Sequence, residues 1–338
     1  YDKLTEEQQK QVDISRVKAL AEYFNGMTEE TATTISPVTS GTKYINSGGT
    51  YTLKGGTYST SATAIIINTT AAVTLNIEGN ITATASSAFI GVDSSCSNLT
   101  INGNGHKISS GLNIVACGKT TPTITVKDGI FSSSGTRPVF GGTAATYKID
   151  NSTIDGGGSG IYVGHLTVTN STIQNTKTGI TGGDMTAISC KFKNCTNAID
   201  IYNGDSIKLS GNTEFSGNTN DIYLRAKAVI SLADDYDGNA KVTIEDTISD
   251  SVKRQITTTG TDKSMLAKVS SVNSSYSVNY DTSGKYLYLW KHSHSWNYSA
   301  SGNTVTAKCN TSSCGYSSGL TLTLTAPDMT YTGSAYDK

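Results

Sequence analysis

Between Tyr51 and Asp234 the chain repeats one short phrase, apolar-x-apolar-x-[Gly/Asn/Asp], every 19 to 25 residues. Its copies are Tyr51-x-Leu53-x-Gly55, Leu75-x-Ile77-x-Gly79, Leu99-x-Ile101-x-Gly103, Ile124-x-Val126-x-Asp128, Tyr147-x-Ile149-x-Asn151, Leu166-x-Val168-x-Asn170, Met185-x-Ala187-x-Ser189, Ile207-x-Leu209-x-Gly211 and Ile230-x-Leu232-x-Asp234. The period of two puts both apolar residues on one face of a strand, and the closing residue tolerates a left-handed backbone. Each copy therefore predicts a strand that ends in a sharp turn. A second apolar residue follows five positions after several anchors (Tyr58, Phe131, Ile154, Ile173, Phe192), and a third precedes the early ones (Ile66, Ile90, Val115). In later copies this third position becomes Ile161, Ile180, Ile199 and Ile222, spaced 19, 19 and 23.

Three inward strand positions per fixed period predict a right-handed parallel β-helix, with equivalent strands of successive coils about 4.8 Å apart. A β-sandwich with regular turns does not require three strand positions to repeat in register with a turn residue. Leucine-rich repeats have a similar period but need an asparagine-bearing leucine consensus that this chain lacks.

The ends break the pattern. Residues 3–25 carry Thr5 as an N-cap and Val12, Ile14, Val17, Leu20, Ala21 and Phe24 at helical spacing, which predicts a helix plugging the open end of the first coil. After Asp237 a different alternation begins, in Lys241–Ile244, Tyr276–Tyr280 and Tyr286–Trp290. The expected organisation is a capping helix and lead-in over 1–36, the solenoid over 37–236, and a small antiparallel unit or C-terminal cap over 237–290. A His/Cys-containing β module follows over 291–338, its last residues reading as the start of a further repeat.

Composition narrows the partners. Charged residues are 16% of 338 and the formal net charge is -1, so no basic stripe marks a nucleic-acid partner. The longest apolar run, Ala64–Ile67, falls far short of the roughly 18 residues of a membrane span. Abundant Thr, Ser, Asn and Gly suit an extracellular β-rich protein. The chain opens at Tyr1 without methionine, which reads as a mature or excised fragment.

The C-terminal run His292-x-His294-x-Trp296-x-Tyr298, then Thr304-Val305-Thr306-Ala307-Lys308-Cys309-x4-Cys314, leads to Leu322-Thr323-Leu324-Thr325-Ala326-Pro327 and Tyr331-Thr332-Gly333-Ser334-Ala335-Tyr336. Over residues 237 to 338 it is similar to modules repeated in large secreted surface proteins of Gram-positive anaerobes. The resemblance implies a β-helical region of a cell-surface, adhesin-like protein. The β-helix itself resembles the pectate-lyase-like superfold in shape, and that fold hosts lyases, hydrolases, adhesins and tailspikes, so it assigns no activity.

Four clusters are candidate sites. His292, His294, Cys309 and Cys314 have the ligand types of a structural zinc site, the one cofactor the sequence suggests. A Cys309–Cys314 disulfide and unpaired thiols are the competing states, and in an oxidising environment the disulfide is the simpler. Cys96, Cys117, Cys190 and Cys195 are expected as buried free thiols. His165 and Asp184 each precede their anchor by three residues and Asp205 by four, so all three should line one edge of successive coils with Lys227 near the next, as a weak acid/base or binding set. Tyr162, Tyr202 and Tyr223 are expected as an outward aromatic strip for stacking on sugar rings, with ordinary cross-coil packing as the competing reading. Asp235-x-Asp237-x-Asn239 with Asp246 resembles a calcium loop but has Ala240 where the turn glycine belongs.

Lyases on this scaffold use acidic calcium ligands with an arginine or lysine base, and the related hydrolases use clustered aspartates with a Gly-His-Gly segment. Only four arginines are present, and Gly105-His106-Lys107 and Gly164-His165-Leu166 are not that segment. The expectation is an extracellular stalk or adhesin-like module at the cell surface or wall. It would be a monomeric rod within a longer chain, without membrane insertion, binding a glycan or a host-matrix component. A polysaccharide-active enzyme and a purely structural spacer are the alternatives.

Overall fold

A computed structural model describes residues 32–93, 96–118, 122–202, 204–249, 252–291, 295–310 and 319–323. Among them, 24 strands join in one parallel sheet wound into a right-handed solenoid of about nine turns. One coil shows how the winding works. The anchor strand at Leu166–Val168 turns at Asn170 into Thr172–Gln174, turns again at Asn175, and enters the next long strand, Thr178–Ile188. That strand passes a third corner at Gly182–Gly183 and becomes the following anchor at Met185–Ala187.

Two of the three corners depend on single left-handed residues. Asp128, Asn151, Asn170, Ser189 and Gly211 have φ between 45° and 58°, at the phrase-closing positions predicted for them. Asn and Asp reach this region at little cost because their short polar side chains bond locally. The second corner uses Gly156, Asn175, Asn194 and Gly217 in the same way. Amides link neighbouring coils along both edges: Asn151 Nδ2 donates to Asp128 Oδ1 at 2.7 Å, and Asn175 Nδ2 to Asp155 Oδ1 at 2.7 Å.

The interior is the stack of predicted aliphatic and aromatic rows. Leu53, Tyr58, Ile124, Val126, Phe131, Tyr147, Ile154, Val168, Ile173, Phe192 and Ile207 are fully buried, and each such side chain contributes about 1.5–3 kcal/mol by leaving water. Phe192 stacks on Phe215 at 5.3 Å between centroids, and Phe131 meets Phe140 edge-on at 5.2 Å. Two expectations need correction. Ile66 faces outward, while Ile65 and Ile67 fill the core, because Ile65 is the residue in register with Ile90. Leu75 pairs with Ile101 rather than Leu99, a slip of two residues that keeps every side chain on its own face.

The predicted helix over 3–25 lies outside the described residues, and the helix found among them is a 3-10 turn at Lys263–Lys268. At the other end, parallel pairing continues past residue 236 through Ala240–Ile244 and Val269–Ser271. A three-stranded antiparallel sheet, ordered Lys253–Gln255, Tyr286–Lys291, Tyr276–Asp281, then covers the last coil. Leu287 and Leu289 enter the solenoid core, and the Arg254 guanidinium donates to the carbonyls of Ala226 and Ala228, fastening this sheet to the coil. A second antiparallel sheet follows, built from Trp296–Ser301, Thr304–Cys309 and Leu320–Thr323.

Candidate functional site

The third corner has no fixed turn residue, and its length varies from coil to coil. Two residues separate Tyr162 from His165 and two separate Thr181 from Asp184, but four separate the equivalent Gly141 and Thr146, and five separate Asp200 and Ser206. Two short corners thus lie between two longer ones. The outcome is a cleft of about 670 Å³ on the side of the rod.

Glycine makes the short corners possible. Gly182 has φ 150°, and a Cβ there would lie 1.8 Å from the Val163 carbonyl oxygen. A Cβ on Gly164 would lie 2.3 Å from Thr143 O, and one on Gly183 2.5 Å from Gly164 O. The floor is therefore bare backbone. Its far wall is the longer corner Tyr202–Asp205, closed by a hydrogen bond from the Asp205 amide to Tyr202 O at 3.1 Å.

Across this floor the walls carry Tyr162 and Tyr202, 44% and 46% exposed. Between them, Thr181 is buried, and its hydroxyl has no hydrogen-bond partner among the described residues. Asp200 lies beside it, only 4% exposed, and accepts from Arg225 through both oxygens, at 2.8 and 2.9 Å. The same guanidinium sits 4.6 Å from the centre of the Tyr202 ring and 5.1 Å from that of Tyr223, so cation–π contact steadies the wall. Asp200 is consequently a structural anion, already paired by charge.

The His165, Asp184 and Asp205 side chains do meet at this cleft. His165 pairs directly with Asp184 across the sheet, with Nδ1 3.7 Å from Oδ2, and Ser206 donates to Asp184 Oδ1 at 2.9 Å. Ser206, not Asp205, takes the next place in the column, because the longer corner displaces Asp205 into the wall. Burial, and then the neighbouring charge of Asp184, raise the Asp205 carboxyl above its ordinary value. Lys227 lines neither this cleft nor its neighbour.

A second depression of about 320 Å³ opens on the other side of the same column, over the outward residues Thr167, Thr186 and Lys208. His165 and Asp184 belong to both and form the ridge between them. Tyr223 stands three coils from Tyr162 in one outward row, with Thr181 and Asp200 between, and is half-buried under Arg225. The aromatic groups at the cleft are therefore Tyr162 and Tyr202. Arg225 and Thr181 were not singled out from sequence.

His292, His294 and Cys314 lie outside the described residues, whereas Cys309 is buried beside Tyr288 and Trp290. Among the described residues no three His, Cys, Asp or Glu side chains gather as metal ligands. The acids of the calcium-loop reading part company: Asp235 accepts from Ser210, Asp237 pairs with Lys268 at 2.6 Å, and Asp246 lies 3.7 Å from Arg254. Cys96, Cys190 and Cys195 are buried free thiols. No helix among the described residues is long and apolar enough to cross a membrane. In comparisons with known proteins, no family model matches the chain, and no curated protein or solved structure is significantly similar to it.

Proposed function

We propose that the chain is a glycan-binding module of an extracellular, adhesin-like surface protein, and that the ligand sits in the corner cleft rather than along a smooth rod face. One observation carries this reading: Tyr162 and Tyr202, both half-exposed, line one cleft with a backbone floor. Its 670 Å³ lies within the range of about 300–1,000 Å³ typical of small-ligand sites. Tyrosine rings offer flat apolar faces to the C–H surface of a sugar and a hydroxyl at the edge. The carboxylates of Asp184 and Asp205 are acceptors for sugar hydroxyls.

The test is a glycan array probed with the native chain and with Tyr202→Ala. Binding that the substitution weakens by about tenfold or more, roughly 1.4 kcal/mol, supports the reading. An array on which the native chain and the variant are equally blank, or equally bright, refutes it.

One observation favours a second reading, turnover of the bound glycan. Asp205 holds its proton more tightly than an ordinary carboxyl and stands close to Asp184, itself within ion-pair distance of His165. Two carboxyl groups in unlike environments are what acid/base cleavage of a glycosidic bond requires. Reducing-end release from a bound oligosaccharide, abolished in Asp205→Asn while binding persists, would establish it.

A further inference from the structure

The two depressions share a ridge, and that geometry restricts what the cleft can bind. The first is lined from the strand side entering the third corner, by Tyr162, Thr181 and Asp200, and the second from the side leaving it, by Thr167, Thr186 and Lys208. A ligand that touches only the first leaves the outer face of the His165–Asp184 ridge in water. A ligand that touches both must pass over the ridge, following the strands round the corner rather than the rod axis. Resting on the glycan-binding reading, we propose that the ligand is a linear oligosaccharide with no acidic group on the ring in the first depression, lying transversely over His165 and Asp184 with at least one ring in each depression.

The exclusion of acidic sugars follows from charge. The first depression is lined by Asp184, Asp200 and Asp205, and no lysine or arginine lines it among the described residues. Arg225 reaches Asp200 from outside the lining and is used up in that pair, which leaves Asp184 and Asp205 facing the ligand with His165 as the neighbouring base. Hydroxyl or ammonium groups can donate to these carboxylates. A uronate or sulfate ester there would meet like charge in a partly desolvated site and have no lysine or arginine to pair with. The Tyr162 and Tyr202 rings accept any pyranose face, so the carboxylates set the selectivity and the ridge sets the length.

The experiment is calorimetric titration of the whole chain with three hexasaccharides, one neutral (cellohexaose), one amine-bearing (chitosan hexamer) and one anionic (hexagalacturonate), beside the disaccharide of each. A non-acidic hexamer should bind at least about tenfold more tightly than its disaccharide, because filling the second depression becomes an intramolecular step. Thr186→Trp, which fills the second depression from an outward strand position, should erase that advantage; an unaltered thermal midpoint certifies the variant's fold. Hexagalacturonate should bind only when Asp184→Asn and Asp205→Asn are combined. Equal affinity of hexamer and disaccharide, or native preference for the anionic chain, overturns this inference and leaves Tyr202-dependent glycan binding standing. Failure of all six sugars to bind overturns this inference, and the glycan array decides the binding reading beneath it.

Discussion

Arg225 holds Asp200 of the preceding coil with two nitrogens, Nε to Oδ1 at 2.8 Å and Nη2 to Oδ2 at 2.9 Å, while its third nitrogen reaches Glu245 at 3.2 Å. One guanidinium thereby ties three successive coils and lies against the Tyr202 ring of the cleft wall. The planar fork matches a carboxylate in a way that lysine cannot. The Asp200 side chain is 5% exposed and that of Arg225 29%, so the pair is only partly screened.

Arg225→Met leaves Asp200 buried without its cation. Removing one partner of a buried pair costs about 3–5 kcal/mol, and the partial exposure of Arg225 reduces this to roughly 2–3. Adding Asp200→Asn to Arg225→Met should recover part of the loss, since a neutral amide no longer needs a cation. Chemical denaturation of the single and double variants measures both, and a double variant no more stable than the single contradicts the account.

Gly182→Ala tests the floor of the cleft. The new methyl would lie 1.8 Å from Val163 O at a φ of 150°, so the two short corners must separate. The expected loss is about 3 kcal/mol or more, with loss of glycan binding. Gly204 provides the contrast: its φ is 92°, yet a Cβ there meets nothing within 4 Å. Gly204→Ala should cost only about 1–2 kcal/mol, from backbone conformation alone. Comparable losses in the two variants would show that steric closeness at the floor is unimportant.

The winding was legible because it is a local code. Phrase-closing Asp128, Asn151, Asn170, Ser189 and Gly211 are left-handed as their residue types suggest, and the apolar rows they separate fill the interior. The second corner, at Gly156, Asn175, Asn194 and Gly217, was equally written, as an apolar-x-[Gly/Asn] step after the mid-coil strand, but no longer phrase called attention to it. The cleft was half legible. Equal spacing of Ile161, Ile180 and Ile199 stacked His165 on Asp184, and the jump to 23 before Ile222 marked an insertion without saying which corner received it. That insertion moves Asp205 off the column. Arg225 was opaque for a different reason: its partner is 25 residues away, and nothing in a single sequence registers an ion pair between coils.

Acid should loosen the antiparallel cap before the solenoid. Asp281 accepts from Ser283 Oγ, the Gly284 amide and Lys253 Nζ, and these bonds hold its carboxyl well below the usual carboxylate range. A depressed native value means that the ionised form is the one the fold favours. Its contribution is complete above the unfolded value of about 3.9 and fades as pH falls from there through the native value. Asp205 has the opposite sign: its raised carboxyl costs stability as pH climbs through the native value, so Asp205→Asn should be more stable than the native chain at pH 7 and not at pH 3. Thermal midpoints across pH 2–7 for Asp281→Asn and Asp205→Asn read both. A native acid transition that Asp281→Asn leaves unchanged removes Asp281 from its cause.

Cys190 occupies a place that hydroxyls fill in neighbouring coils. The residue following the left-handed corner is Ser152 in one coil and Ser171 in the next, and Thr213 serves the coil after Cys190. In this row the Ser152 amide donates to Ser171 Oγ at 3.1 Å, and the Cys190 amide donates to Thr213 Oγ1 at 3.4 Å. The single thiol proton is shared between Val168 O at 3.4 Å and Ile188 O at 3.3 Å, and burial pushes the pKa up to about 11. Thiolate is the reactive form, so the native chain should resist alkylation at pH 8 until it unfolds. Cys190→Ser should shift stability by less than about 1 kcal/mol, since a hydroxyl already suits this place. Cys190→Val removes the donor; Ile188 O keeps the Asn170 amide at 3.0 Å, so the loss is that of one weak hydrogen bond, about 0.5–1.5 kcal/mol. Pulsed alkylation with mass spectrometry and denaturation of the two variants check these outcomes; rapid labelling of folded protein at Cys190 would contradict its burial, and equal stabilities of the serine and valine forms would contradict the hydrogen-bonded row.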